Sequence, residues 1–243
     1  MRKITYPSFA LTWLVVLALG CSKNDPVKVF CVPTVLTSNT IGVSSVITKY
    51  EYNGKSQVIS TTVSSSGPLS DVVETTYTYD GNGNIISSSS NSMASGTTTA
   101  EYTYDISHNL IQEDRRSAGV LQSSFFYHYN STLQLIGADY TYFTGGGSSM
   151  SSTRYEYATP VSRNPTKILS NQGATWTYEY DTNPNPLKIL FVSTQTDNNI
   201  TKMTYTSGAS TTTTYAYQYD ANRYPTSRVG TDGETKMYAY TCK

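Results

Sequence analysis

Hydrophobic and polar residues alternate with a period of two along most of the chain, and a recurring Tyr-x-Tyr unit marks the alternation. Eight such units begin at Tyr50, Tyr77, Tyr102, Tyr127, Tyr155, Tyr178, Tyr217 and Tyr238. Period two places both rings on one face of a β-strand and the intervening residue on the other. Six of the units are followed directly by Asp or Asn, which favour turns. The pattern therefore predicts a series of strands that end in turns.

The second repeat shows the unit most completely. Its strand is followed by Asp80-Gly81-Asn82-Gly83-Asn84, in which Asp and Asn can bond their own backbone and Gly supplies positive φ. Ile85 and Ile86 then begin a returning strand, whose aliphatic side chains can meet tyrosines across the pair. One repeat is thus two antiparallel strands. The whole chain predicts an all-β, up-and-down meander of about 14–16 strands.

The repeat residues are expected to have structural roles in strands and turns. They are Tyr77, Tyr79, Asp80, Gly83, Tyr102, Tyr104, Asp105, Tyr127, Tyr129, Tyr178, Tyr180, Asp181, Tyr217, Tyr219 and Asp220. The longest step, from Tyr178 to Tyr217, predicts an extra or decayed hairpin around Met203-Thr204-Tyr205.

The segment Tyr79-Asp80-Gly81-Asn82-Gly83-Asn84-Ile85 resembles the YD repeat of RHS-type proteins. Long members of that family wrap strands into a shell around a toxin cargo, for which this chain is too short. It is more similar to a group of short lipoproteins that carry a domain of unknown function with a porin-like meander. The resemblance covers residues 44–243 and implies architecture more than activity.

A meander of this many strands has exposed edges unless it closes on itself. Closure into a complete or nearly complete barrel would make the strands near residues 29–36 and 235–241 neighbours. Cys31 and Cys242 lie in or beside those two segments. We expect a disulfide between them; the alternative is two free thiols.

The amino terminus predicts export. A basic start is followed by an apolar run over residues 9–19, too short to span a bilayer. Gly20-Cys21 resembles a lipoprotein lipobox, although Ala18 stands where Leu is usual. We expect residues 1–20 to be a signal peptide, residues 21–43 to hold the lipidated Cys21, a tether and the first strand, and residues 44–243 to form the repeat domain. The alternative is an ordinary signal peptide with an incidental cysteine.

Composition narrows the classes of partner. The chain has 22 Tyr, only 14% charged residues and a formal net charge of zero. Nucleic acid is excluded as a partner because no basic patch is present. Aliphatic content is low for a lipid-facing band, and the Tyr pairs would make one aromatic girdle where spanning barrels have two. We therefore expect a soluble barrel with Tyr and aliphatic residues inside and Thr, Ser, Glu and Lys outside; a membrane-spanning barrel is the alternative.

No motif in the sequence indicates catalysis, a cofactor or a metal. His108 and His128 lack ligand-spaced neighbours and are expected at the surface. Asp80-Gly81-Asn82-Gly83-Asn84 has the look of a calcium loop, but no acidic residue closes it, so turn capping is favoured. No catalytic residues are therefore assigned.

The expected function is that of an exported, outer-membrane-anchored structural or binding protein, facing the periplasm or the cell surface. Its partners are the membrane, through the Cys21 lipid, and a glycan or an envelope protein. One alternative is a glycan- or peptide-binding module with solvent-exposed Tyr rows, for which Trp176 is the first residue to inspect. A second is an unrecognised envelope hydrolase with carboxylates or His in a cleft.

Overall fold

The computed structural model describes residues 30–40, 45–67, 70–189 and 196–242. They form sixteen β-strands and one short 3-10 helix, Pro186–Ile189. The strands are β1 Cys31–Thr40, β2 Ser45–Tyr52, β3 Val58–Ser65, β4 Val72–Tyr79, β5 Ile85–Ser92, β6 Gly96–Tyr104, β7 Leu110–Ser117, β8 Val120–Tyr129, β9 Leu135–Thr144, β10 Gly147–Tyr157, β11 Pro165–Ser170, β12 Thr175–Pro184, β13 Asn198–Ser207, β14 Ala209–Tyr219, β15 Pro225–Gly230 and β16 Glu234–Cys242.

The sixteen strands form a closed barrel, in which each strand pairs antiparallel with the next and β1 pairs with β16. The predicted all-β meander is thus confirmed. Closure gives every strand two neighbours, so the described part of the sheet has no open edge. The even-numbered strands carry the Tyr-x-Tyr units and finish at one end of the barrel, which we call the tyrosine end.

The seam between β1 and β16 is held by a covalent bond. Cys31 is in register with Cys242, their Cα atoms are 4.0 Å apart, and their sulfur atoms form the predicted disulfide. The bridge joins residues 211 positions apart, so it closes the barrel almost from one end of the described chain to the other.

Every returning strand carries a β-bulge at the same place, directly after the residue that is in register with the second tyrosine of the neighbouring strand. The bulged residues are Thr34, Ile59, Ile86, Ile111, Ile136, Thr166, Thr201 and Thr226. A bulge sets two residues against one on the partner strand. The first aliphatic residue of each pair therefore packs inward and the second points outward. Of the two isoleucines expected to meet the tyrosines, Ile85 is partly buried, whereas Ile86 is 43% exposed.

Among the described residues of the long step between Tyr178 and Tyr217 there is no extra hairpin. Met203-Thr204-Tyr205 lies in β13, which is the ordinary returning strand of its repeat. The additional residues belong to the connection between Pro184 and Asn198, which contains the 3-10 helix. That helix contacts β1. The prediction was wrong because the alternation of hydrophobic and polar residues along a strand does not indicate how long the connections between strands are.

The main hydrophobic core is on the inner face of β6 to β11. Its buried members are Leu110, Phe125, Tyr127, Leu135, Ala138 and Tyr155. Among the described residues, no helix has the length and apolar character needed to cross a membrane.

Candidate functional site

The second tyrosine of most repeats ties its strand to the preceding repeat. Its hydroxyl donates to the carbonyl oxygen of the residue just before the preceding bulge. These bonds run from Tyr52 to Pro33, Tyr79 to Val58, Tyr104 to Ile85, Tyr129 to Leu110, Tyr157 to Leu135, Tyr180 to Pro165 and Tyr240 to Pro225, at 2.6–3.0 Å. These hydrogen bonds therefore link neighbouring strands of the barrel wall at the tyrosine end, with the tyrosine rings on its inner face.

One repeat departs from this pattern. In β14 the first tyrosine, Tyr217, donates to the carbonyl of Ile200 at 3.0 Å, and Tyr219 donates to the carboxylate of Asp181. Asp181 does not begin a turn, because β12 continues through it to Pro184. It accepts from the backbone N–H of Asn183 at 2.9 Å, as Asp80 accepts from Asn82, and from the backbone N–H of Asn199 at 3.1 Å. Asp181 therefore has a structural role, but in a continuing strand rather than at the start of a turn.

The other repeat acids hold the turns at the tyrosine end. Asp80 Oδ1 accepts from the backbone N–H groups of Asn82 and Asn84, at 2.9 and 2.8 Å, and Oδ2 accepts from the Asn84 side chain. Asp105 repeats this arrangement, and Asp220 caps its turn through its own Oδ1. Hydrogen bonds from the side chains of Asn84 and Asn109 lower the pKa of the Asp80 and Asp105 carboxyls.

Each of these turns needs a left-handed residue in its fourth position. Gly83 has φ 92° there, and Ser56, His108, Leu133 and Arg223 adopt φ of 60–69° in the same position. The geometry is a type I turn followed by a left-handed residue. It forms with non-glycine residues because the Asp or Asn cap fixes the backbone on either side.

Neighbouring turns are bonded to one another around this end. Asn84 Nδ2 lies 3.0 Å from His108 Nδ1, and Gln134 donates to the carbonyls of Thr159 and Ser162 at 2.8 and 2.7 Å. The Asn164 side chain bonds Asp197 and Asn198, and the Arg223 side chain bonds Thr182 and Asn183. The turns thus form a connected rim rather than separate loops.

Inside this rim lies a cavity of about 430 Å³. Its walls carry five tyrosine rings and several apolar side chains, and polar groups stand around them. The lining residues are His108, Asn109, Leu110, Tyr129, Leu133, Gln134, Leu135, Tyr155, Tyr157, Arg163, Pro165, Ile168, Tyr178, Tyr180, Thr196 and Ile200. Burial raises the pKa of Tyr129 and Tyr157 to about 12, so their hydroxyls remain protonated near neutrality.

Charged residues also lie on the inner face, where Glu and Lys were not expected. Glu113 is 6% exposed; it pairs with Arg115 at 2.6 Å and accepts from the Tyr127 hydroxyl at 3.1 Å. Arg115 stands 4.6 Å from the centre of the Phe125 ring. The expectation that Glu and Lys face only outward was wrong, because the wide interior offers them charged and hydroxyl partners.

A second inner cluster lies on β15 and β16. Glu234 pairs with both Arg228 and Lys236, and Arg228 stands 4.3 Å above the Tyr215 ring. Burial and the neighbouring Arg228 lower the pKa of Lys236 to about 8. Arg228 and Glu113 occupy the same position in their repeats, on strands eight apart in the sixteen-strand barrel. The two clusters therefore stand on opposite walls.

The outer face of the wall carries both charged and apolar side chains, the latter including Phe126, Met150 and Met237. Exposed charges occur along its strands, at Lys49, Glu74, Glu101, Arg154 and Glu179. Several pair across strands, including Lys202 with Glu179 at 2.8 Å and His128 with Asp139 at 2.8 Å. The exposed Ile bulges are confined to β3, β5, β7 and β9, and Thr stands at the other four bulges.

The remaining residues singled out from the sequence include Cys21 and Trp176. Cys21, with the signal and tether segments, lies outside the described residues. Trp176 is half-buried and packs on Tyr205, with ring centres 5.2 Å apart. Among the described residues, no group of three or more His, Cys, Asp or Glu is placed to hold a metal ion. Sequence reasoning missed Arg163 and the interior ion pairs, because no spacing signal marks them.

No protein-family model matches the chain, and no curated protein matches it. Among solved structures, a porin-like protein from Bacteroides uniformis is similar, with 16% identity, a TM-score of 0.60, and coverage of 86% of this chain and 96% of that one. A porin-like protein from Bacteroides vulgatus has 13% identity and a TM-score of 0.45, over 87% and 99% of the two chains. The Photorhabdus luminescens Tc holotoxin pore has 16% identity and a TM-score of 0.26, over 82% of this chain and 12% of that one. The first likeness shows a shared fold.

Proposed function

We propose that this protein is an exported lipoprotein whose YD-type repeat barrel stands in water beside the membrane that holds its anchor. It serves there as a structural or binding protein of the envelope and has no catalytic role. The disulfide supports an oxidising compartment, because such bonds persist mainly outside the cytosol. The Gly20-Cys21 pair supports acylation of Cys21.

The exposed charges of the outer wall support the proposal that the barrel is not embedded in lipid. A charge on the lipid face of a spanning barrel costs roughly 2–4 kcal/mol at the bilayer midplane. Lys49, Glu101, Arg154 and Glu179 all stand exposed on this wall. Their hydration is favourable in an aqueous compartment and would be lost in hydrocarbon.

Metabolic labelling and detergent phase partitioning test the two parts of this proposal. Palmitate should label the wild-type protein and the Cys242→Ser control, but not the Cys21→Ala variant. The wild type should enter the detergent phase, whereas Cys21→Ala should stay in the aqueous phase. Persistent labelling of Cys21→Ala would overturn the anchor. Recovery of an unlabelled Cys21→Ala in the detergent phase would overturn the aqueous barrel.

A second candidate function is binding of a small molecule inside the barrel. The tyrosine pairs line the inner face, so they support an internal site rather than the exposed tyrosine rows of the glycan-binding alternative. The cavity's volume is within the usual range for ligand pockets, about 300–1,000 Å³. Equilibrium binding of a fluorescent naphthyl probe tests this function; a probe signal unchanged when Ile168→Trp fills the folded cavity would contradict it.

A further inference from the structure

The cavity at the tyrosine end combines ring-lined walls with an uneven set of polar groups. Tyr129, Tyr157 and Tyr180 already donate to backbone carbonyls, so their rings form fixed walls and their hydroxyls are committed. Leu110 and Ile168 add apolar surface. Such walls favour a flat or ring-shaped body, since aromatic faces pack well on planar groups.

Three groups at the cavity can donate hydrogen bonds to a ligand, and one of them is cationic. Arg163 lines it and has no hydrogen bond or ion pair with any other described residue. The hydroxyl of Tyr178 likewise has no partner within the described ranges. A guanidinium matches the geometry of a carboxylate or a similar oxyanion.

His108 supplies a third hydrogen-bond donor, because the neighbouring Asn84 amide determines which of its ring nitrogens carries the proton. Asn84 Nδ2 donates to the Asp80 carboxylate at 2.8 Å, which fixes the orientation of that amide. The same Nδ2 lies 3.0 Å from His108 Nδ1, so Nδ1 accepts. In the neutral ring the proton is then on Nε2, which is a donor at the cavity border.

The lining contains no Asp or Glu side chain to neutralise Arg163. Two repeat acids adjoin lining residues in sequence: Asp105 is occupied by the Ser107 and Asn109 donors of its own turn, and Asp181 accepts from the Tyr219 hydroxyl and the Asn199 N–H. The cavity therefore presents a guanidinium, a tyrosine hydroxyl and an imidazole N–H to a ligand, over aromatic and aliphatic walls.

We propose that this cavity binds a small organic anion with a ring-shaped apolar body, its anionic group on Arg163 and its ring against the tyrosines. This inference rests on the proposed internal binding function and adds the ligand's chemistry to it. Tyr178 and His108 add hydrogen bonds to the same anionic group. The ring sits between β8, β10 and β12, which carry the lining tyrosines.

Two fluorescent probes with the same rings distinguish the contribution of the anionic group to affinity from that of the ring. 8-Anilinonaphthalene-1-sulfonate carries a sulfonate, and N-phenyl-1-naphthylamine is its neutral counterpart. We expect the sulfonate probe to bind the wild-type protein about tenfold more tightly, the ratio that corresponds to about 1.4 kcal/mol. Arg163→Gln should remove that advantage and leave the affinity for the neutral probe unchanged.

Arg154→Gln is the matched control, because Arg154 is an exposed arginine of the outer wall that also lacks a partner among the described residues. It should change neither affinity. All variants carry the same amino-terminal segment, so probe bound there contributes equally to each. Equal affinity of both probes for the wild type, or an Arg163→Gln protein that still prefers the sulfonate, would overturn the anion inference while leaving internal binding intact. Failure of both probes to bind would overturn internal binding itself.

Discussion

The hydroxyl of Tyr79 donates to the carbonyl oxygen of Val58, 2.6 Å away and one repeat earlier in the chain. The contact joins β4 to the start of β3 on the inner face, beside the bulge at Ile59. The same bond recurs in six other repeats, so the second tyrosines of these repeats form a set of equivalent contacts between neighbouring strands. A hydrogen bond of this kind contributes about 1 kcal/mol net.

Removing one of these tyrosine-to-carbonyl hydrogen bonds should lower the free energy of unfolding measurably. Tyr180→Phe deletes the 2.8 Å bond to the Pro165 carbonyl and leaves that acceptor without its donor. We expect a loss of about 1–2 kcal/mol in the free energy of unfolding, measured by denaturant titration. Tyr178→Phe, two residues away on the same face and without such a bond, should change stability by less than about 0.5 kcal/mol. Equal losses in the two variants would assign the tyrosines to ring packing alone.

The two glycines of the second repeat turn should respond oppositely to alanine. Gly83 has φ 92°, so Gly83→Ala should cost about 1–2 kcal/mol. Gly81 has no positive φ and no heavy atom within 4 Å of an added Cβ, so Gly81→Ala should be neutral or stabilise by up to about 1 kcal/mol. Ser56→Gly, at the position equivalent to Gly83, should also stabilise. Thermal unfolding measures all three, and a Gly83→Ala protein as stable as Gly81→Ala would contradict the left-handed requirement.

Reduction of the Cys31–Cys242 bridge should destabilise the barrel by about 5 kcal/mol on the chain-entropy account, because the loop it closes is very long. Denaturant unfolding with and without a thiol reductant measures the effect. The double variant Cys31→Ser, Cys242→Ser should be insensitive to the reductant. An unchanged midpoint for the reduced wild type would show that strand pairing alone holds the seam.

Acid should weaken the turns at the tyrosine end. The pKa values of Asp80 and Asp105 lie below the unfolded value of about 3.9, so the folded carboxylates hold fewer protons than the unfolded ones. Their stabilisation is therefore present above that value and is lost as the pH falls through the folded pKa. Replacing both with Asn, which caps two other repeats, should flatten the dependence of stability on pH below about 5. An equally steep decline in the double variant would locate the acid sensitivity elsewhere.

The inner cluster on β15 and β16 gives a pH response of the same sign, but in the alkaline range. Glu234→Gln leaves Arg228 and Lys236 without their shared acid and should cost about 3 kcal/mol at neutral pH. The pKa of Lys236 is already lowered to about 8, so the unfolded chain holds more protons above that pH. The variant should therefore regain stability between about pH 8 and 10. Lys236→Met in the same background should restore stability at pH 7. If it does not, the stabilisation by Glu234 does not come from its pairing with Lys236.

Local pattern was enough to predict the strands, the turns at Asp80, Asp105 and Asp220, and the inward side of the tyrosines. Period two and turn chemistry are properties of neighbouring residues, so they can be read without the fold. The pairing of Cys31 with Cys242 was also predictable, because closure of a long meander makes its first and last strands neighbours. Export and the lipid on Cys21 remain predictions from the amino-terminal sequence.

Other features depended on contacts between residues far apart in the chain. Asp181 follows a Tyr-x-Tyr pair as Asp80 does, yet it receives the Tyr219 hydroxyl and lies within β12, which continues to Pro184. The bulges send Ile86 outward beside the inward Ile85. Glu113 and Arg228 look like ordinary surface charges until the barrel places both inside. The cavity donors Arg163, His108 and Tyr178 come from three separate segments, and only closure of the barrel brings them around one space.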